Sequence, residues 1–76
     1  MALHEFELTR EYIELDSLLK LLSIASSGGA AKVMVMEGLV EVNGEIESRK
    51  TRKLRAGDVI RVEGEEIRIL PAGDAA

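Results

Sequence analysis

Ser27-Gly28-Gly29-Ala30-Ala31-Lys32, in mid-chain, is followed closely by Gly38-Leu39-Val40-Glu41-Val42-Asn43-Gly44. A serine ahead of two glycines and an alanine pair reads as a helix start, because its hydroxyl can accept a first-turn N–H that is otherwise orphaned. The helix is expected to open at Ser26 or Ser27 and run to about Glu37, with Ala31, Met34 and Val35 facing inward. Gly38 ends it, as the residue type that enters the left-handed region without steric cost. Val40 and Val42 then alternate as strand residues do, and Asn43-Gly44 is a strong two-residue hairpin signal, since both tolerate positive φ. Helix, capping glycine, strand and tight turn in so short a span place helix and sheet in one unit.

Upstream, Leu15, Leu18, Leu19 and Leu22 fall at i, i+3, i+4 and i+7, one face of an amphipathic helix. Asp16 is the expected N-cap and Lys20 lies on the polar side, with Ser23 to Ser26 joining the two helices. Before them, Thr9-Arg10-Glu11 reads as a turn, and Phe6 and Leu8 alternate with Glu5 and Glu7 as a short half-buried strand. Downstream, Ile46 starts a return strand and Gly57-Asp58 marks a turn. Ile60 and Val62, then Ile67 and Ile69, flank Glu63-Gly64-Glu65 as a second hairpin. Pro71 stops the last strand, and residues 72–76 are expected to form a loose tail. The expected fold class is α+β: one domain over residues 1–71, two adjacent helices packed on a small, mainly antiparallel sheet.

A chain of 76 residues makes one thin-cored domain, burying only about 60% of its unfolded surface. Cysteine is absent, which removes disulfides, thiolate metal sites and thiol nucleophiles together. No apolar run approaches the roughly 20 residues that span a bilayer, and Met1-Ala2-Leu3-His4-Glu5 lacks the order of a signal peptide. The expectation is a cytoplasmic monomer. The net charge is −4, yet residues 48–61 carry Arg49, Lys50, Arg52, Lys53, Arg55 and Arg61 against Asp58 alone. Positive charge concentrated against the global sign points to one localised anion site.

The ordered set Leu15-x-x-Leu18-Leu19, Ser27-Gly28-Gly29-x-Ala31-Lys32, Gly38-x-Val40-x-Val42-Asn43-Gly44, Arg49 and Leu54-x-x-Gly57-Asp58-x-Ile60 resembles the S-four RNA-binding domain, also described by its alpha-L motif. The resemblance covers residues 13–63, and a stand-alone domain of this kind is similar to the small bacterial YaaA/YbcJ-type proteins of that family. It implies a helix-pair and loop surface that docks on structured RNA, often ribosomal RNA or a ribosome-assembly intermediate. On this chain the implied surface is Ser27, Gly28, Gly29 and Lys32, together with Asn43, Gly44, Arg49, Lys50, Arg52 and Lys53. Many relatives carry a basic residue where this chain has Glu14, and arginine where it has Gly28-Gly29. Binding is therefore expected to lean on the strip at 49–55.

The residue chemistry agrees with that weighting. Phosphates are met by arginine forks, lysine point charges and helix N-terminal amides. Gly28 and Gly29 lack a Cβ and would let an RNA backbone approach those amides; the plainer reading is a glycine pair easing a tight turn. Lys32 and Lys20 are candidate phosphate contacts or ordinary solvated lysines, and Arg55 is the outermost candidate of the strip. Arg61 and Arg68 are expected to pair with nearby glutamates. Phe6 and Tyr12, the only aromatic residues, are both expected in the core, which favours recognition of phosphate and shape over base stacking. Val33 and Met36 fall on the less buried side of the second helix; core packing against the sheet is their expected role, a partner surface the alternative.

Catalysis is not expected. His4 is the sole histidine and sits near the terminus, Ser27 has no neighbouring base, and Glu63, Glu65 and Glu66 have no histidine beside them to build a transition-metal site. The Gly28 segment lacks the spacing of a P-loop, so no cofactor or metal is implied. The alternative to RNA binding is a protein-interaction module that docks strip 49–55 on an acidic partner.

Overall fold

In the computed structural model, which describes residues 2–72, the chain runs β1 (Ala2–Leu8), β2 (Ile13–Glu14), α1 (Leu15–Leu21), α2 (Gly28–Met36), β3 (Val40–Val42), β4 (Glu45–Ile46), β5 (Lys53–Leu54), β6 (Val59–Val62) and β7 (Glu65–Pro71). Five strands form one sheet in the order β1-β7-β6-β3-β4, and β2 and β5 form a separate pair. The pairings β3–β4, β3–β6, β6–β7 and β2–β5 are antiparallel, while β1 lies parallel to β7 from Ala2 opposite Glu65 to Leu8 opposite Pro71. The sheet is thus mixed. Asn43 (φ 53°) with Gly44 (φ 87°), and Glu63 (φ 47°) with Gly64 (φ 83°), close the two hairpins in two-residue turns of positive φ. Pro71 ends β7 as expected; of the expected loose tail, residues 73–76 lie outside the described residues.

One core joins both layers. Leu15, Leu18 and Leu19 of α1 and Ala31 and Val35 of α2 are buried against Val40, Val42, Ile60, Val62, Ile67 and Ile69 of the sheet. Leu22 and Met34 pack at its edge. No helix among the described residues is long and apolar enough to cross a membrane.

The helix ends explain where the chain turns. Ser27 caps α2, its Oγ accepting the Ala30 N–H at 3.1 Å. At the other end Gly38 (φ 75°) donates to the Val35 carbonyl and Leu39 to that of Met34, both at 3.1 Å. That pattern is a Schellman cap. α1 ends in the same way with Ser23 in the left-handed region, Ser23 and Ile24 donating to Lys20 and Leu19.

Asp16 does not cap α1. The helix opens two residues earlier, with Glu14 at the cap position and no side chain capping it. The orphan N–H groups of Leu15 and Asp16 instead donate to the carbonyls of Arg52 and Lys50, each at 2.9 Å. Distant backbone replaces the local carboxylate, whose Oδ1 accepts only from Ser17 next door. Val33 and Met36, expected in the core, are 52% and 68% exposed. Ala31 and Val35 form the buried side of α2, with Ala30 and Met34 partly buried beside them, which leaves Val33 and Met36 outside. His4 lies within β1, its Nε2 2.6 Å from Glu65 Oε1 on the paired strand.

Candidate nucleic-acid interface

After Ile46 the chain leaves the sheet, and Glu47 becomes the pivot of the basic strip. Its N–H donates to the Val40 carbonyl at 2.9 Å, and the residue is buried. Its carboxylate accepts the Arg49 backbone N–H and Nε–H, each at 3.0 Å, Arg49 Nη2 at 3.4 Å and Arg52 Nη1 at 2.6 Å. A carboxylate collecting several charge-assisted bonds is stabilised in its ionised form. The Arg49 side chain contributes most, burial works against it and Arg52 adds to it, leaving the Glu47 pKa at about 2. The same contact raises the Arg49 guanidinium pKa. Arg49 is nonetheless 68% exposed and remains open to a further anion.

The strip is therefore a shaped loop. Its Lys50 and Arg52 carbonyls are bound to the start of α1, Arg52 N–H closes a turn on the Arg49 carbonyl at 3.2 Å, and Leu54 is fully buried beneath it. Lys50 is exposed, its side chain without a hydrogen-bond or ion-pair partner among the described residues. Arg49, Thr51, Arg52, Lys53 and Arg55, with Glu14, line an open hollow of about 530 Å³. Beside it, Lys53 Nζ lies 5.2 Å and Arg55 Cζ 5.8 Å from the centroid of the Tyr12 ring. Tyr12 is half-buried and outside the core cluster, contrary to expectation, because the two cations hold its ring at the surface. Phe6 is partly buried and does pack on the core.

The other candidates lie elsewhere on the surface. Loop 47–52 is bound at the N-terminal end of α1, whereas Ser27, Gly28, Gly29 and Lys32 follow its C-terminal end. A seven-residue helix separates them, an axial rise of about 10 Å. A Cβ at Gly28 would meet nothing within 4 Å, and one at Gly29 only Ser27 Oγ at 3.8 Å. Neither glycine has positive φ, so no turn demands them. Replacing both with alanine is expected to raise thermal stability, by a few tenths to about 1 kcal/mol per site, read as a higher melting temperature. A lower one would mean that the turn needs glycine after all.

Asn43 is committed to the fold. Its Oδ1 accepts Val59 N–H at 2.9 Å and its Nδ2 donates to Asp58 Oδ1 at 3.1 Å, tying the hairpin to the turn before β6. Asp58 Oδ2 also accepts Arg55 N–H at 2.9 Å, fixing the end of the strip. Gly44 is exposed at the hairpin tip, and Lys20 and Lys32 are exposed on their helices. Arg61 and Arg68 both donate to Glu66, at 3.3 and 2.8 Å, as expected. Among the described residues no cluster of three or more His, Cys, Asp or Glu side chains is arranged to hold a metal. The sequence reading missed Glu47 and Tyr12 as parts of this surface, and noted Glu14 only as a departure from its relatives. For Glu47 a signal existed, two and five residues ahead of the arginines it binds.

Sequence and fold comparisons give a consistent neighbourhood. The S4 domain family matches residues 6–70. YbcJ of Escherichia coli K12, provisionally named an RNA-binding protein, is 37% identical over 59 residues, spanning 78% of this chain and 84% of that one. RlbA of Bacillus subtilis 168, provisionally named a ribosome maturation protein, is 46% identical over 54 residues, spanning 71% and 76%. The solution structure of E. coli YbcJ, described as having an alpha-L motif involved in RNA binding, aligns with TM-score 0.68 and 36% identity over 87% of this chain and 85% of that one.

Proposed function

This chain belongs to the S4 domain family, and from that premise we propose that it is a non-catalytic, cytoplasmic RNA-binding protein that grips phosphates of structured RNA. The observation that carries the reading is the strip from Arg49 to Arg55, held in shape by Glu47 and Leu54 in a chain whose net charge is −4. A charge run that served only as a solvated loop would not need a buried carboxylate and a buried leucine to set its form. Arg49, Lys50, Arg52 and Lys53 are the principal phosphate contacts, with Arg55 at the margin. The α2 start at Ser27, Gly28, Gly29 and Lys32 gives a second contact, joined by Lys20 and by the hairpin tip at Asn43 and Gly44. The bare glycine pair supports this, since the chain's own packing gives no reason for it. Ribosomal RNA or an assembly intermediate is the favoured target, on the name of RlbA.

The test is binding of labelled ribosomal RNA fragments across a salt series. Lys50→Ala/Lys53→Ala leaves Glu47 paired and is compared with the Arg49→Ala/Lys50→Ala/Arg52→Ala/Lys53→Ala variant. The log–log salt slope is expected to become shallower by roughly 0.7–0.9 per lost phosphate contact. Absence of binding by folded wild type at low salt would sink the reading and turn attention to acidic protein partners.

A further inference from the structure

Tyr12 was expected in the core and stands at the surface, and the ground beside it has a chemistry the phosphate reading does not use. An open hollow of about 600 Å³ lies between the β1–β2 connection and α1, lined by apolar residues that include Phe6, Tyr12, Ile13 and Leu21 and by polar ones that include Arg10, Glu11, Glu14 and Ser17. Its apolar and aromatic residues suit the face of a flat ring and its polar ones the edge, and its volume lies within the ordinary range of small-molecule sites. Glu14 lines this hollow and also the cationic one. The β2–β5 register sets Glu14 directly opposite Lys53. No ion pair joins them, and the Glu14 carboxylate has no hydrogen-bond partner among the described residues.

Two contiguous hollows, one cationic and one aromatic with an acceptor on the rim between them, match the layout of a nucleotide whose base is turned out of its stack. Sequence-specific recognition of RNA works largely this way, by aromatic contact with a splayed base and hydrogen bonds to its Watson–Crick edge. A carboxylate offers two acceptors and no donor. Guanine presents two adjacent donors, N1–H and N2–H₂, which a carboxylate can take together. Adenine and cytosine set an acceptor beside their amine, and uracil flanks its one donor with two carbonyls. Resting on the RNA-binding reading, we propose that the Tyr12 hollow receives an unpaired guanine, its Watson–Crick edge donating to Glu14, with Lys53 and Arg55 on the adjoining phosphate. Glu14, which weakens the positive field, would thereby serve as the element that discriminates between bases.

The probe is a set of RNA hairpins identical except for one bulged nucleotide, G, A, C or U, and a fifth without a bulge. Wild type is expected to bind the G-bulged hairpin about tenfold more tightly than the others, a ratio ordinary for one bidentate base contact. Glu14→Gln replaces one acceptor with a donor, and the preference for guanine should vanish. Tyr12→Ala should lower affinity for the bulged hairpins towards that of the bulge-free one, while Tyr12→Phe keeps the ring and the preference. Far-UV circular dichroism and melting curves establish that each variant is folded. Equal binding of all five hairpins by wild type would overturn the guanine site and leave the phosphate reading standing. A guanine preference that survives Glu14→Gln would overturn the assignment to Glu14. Failure to bind any hairpin or any ribosomal RNA would remove both readings.

Discussion

Leu54→Ala is expected to cost about 3 kcal/mol of folding stability, a loss typical of emptying a fully buried leucine site. The side chain is 0% exposed and sits under the basic strip, opposite Ile13 in the β2–β5 pair. A domain of this length carries in total about 4–11 kcal/mol, so one methylene-rich side chain accounts for a large share. Its removal also loosens the segment whose carbonyls, at Lys50 and Arg52, complete the start of α1. Urea denaturation should show a lower midpoint with an unchanged slope, and RNA affinity should fall with it under conditions where part of the variant is unfolded. Ile46→Ala is the contrast: that side chain is 66% exposed, and its loss should cost under about 0.5 kcal/mol. Equal effects at the two positions would mean that the strip is not anchored through Leu54.

What the sequence made legible was local. Asn43-Gly44, Gly38 and Ser27 announce themselves because each solves a problem set by its immediate neighbours, and all three occur as read. The leucine face of α1 is equally plain, since its period is carried within the helix. The parallel β1–β7 pairing was not legible: its register joins residues some sixty positions apart, and nothing in Ala2–Leu8 names its partner. Asp16 misled for a related reason. A carboxylate at a helix start is a sound local cap, but here carbonyls from Arg52 and Lys50 fold back to take those N–H groups. Tyr12 misled by composition, because an aromatic beside an isoleucine reads as core until Lys53 of β5 and Arg55 just after it are seen over its ring. Glu47 stands in no motif of its own, yet burial and two arginines make it the residue that organises the strip. Each miss is a contact that sequence distance hides.

Acid should expose the role of Glu47 directly. Its pKa lies at about 2 in the folded chain against an ordinary 4.5, held down chiefly by the Arg49 hydrogen bond with Arg52 adding to it. A group whose folded value is depressed binds its proton more readily when unfolded, so its contribution is complete above about pH 4.5 and is lost as pH falls towards 2. At neutral pH, Glu47→Gln is expected to cost about 2 kcal/mol, in the range of charge-assisted hydrogen bonds. The full cost of breaking a buried pair does not apply, because Arg49 is largely exposed and solvent screens part of the interaction. Glu66 is also lowered, by Arg68 foremost and Arg61, and its protonation in acid also weakens the wild type. The informative quantity is therefore the gap between wild type and Glu47→Gln, from urea midpoints at successive pH values. That gap should be constant from pH 7 to about 5 and close between 4.5 and 2 as the wild-type carboxylate takes up its proton. Parallel curves down to pH 2 would mean that Glu47 titrates no differently folded than unfolded. The two arginines would then be held by the backbone of the loop rather than by the carboxylate beneath them.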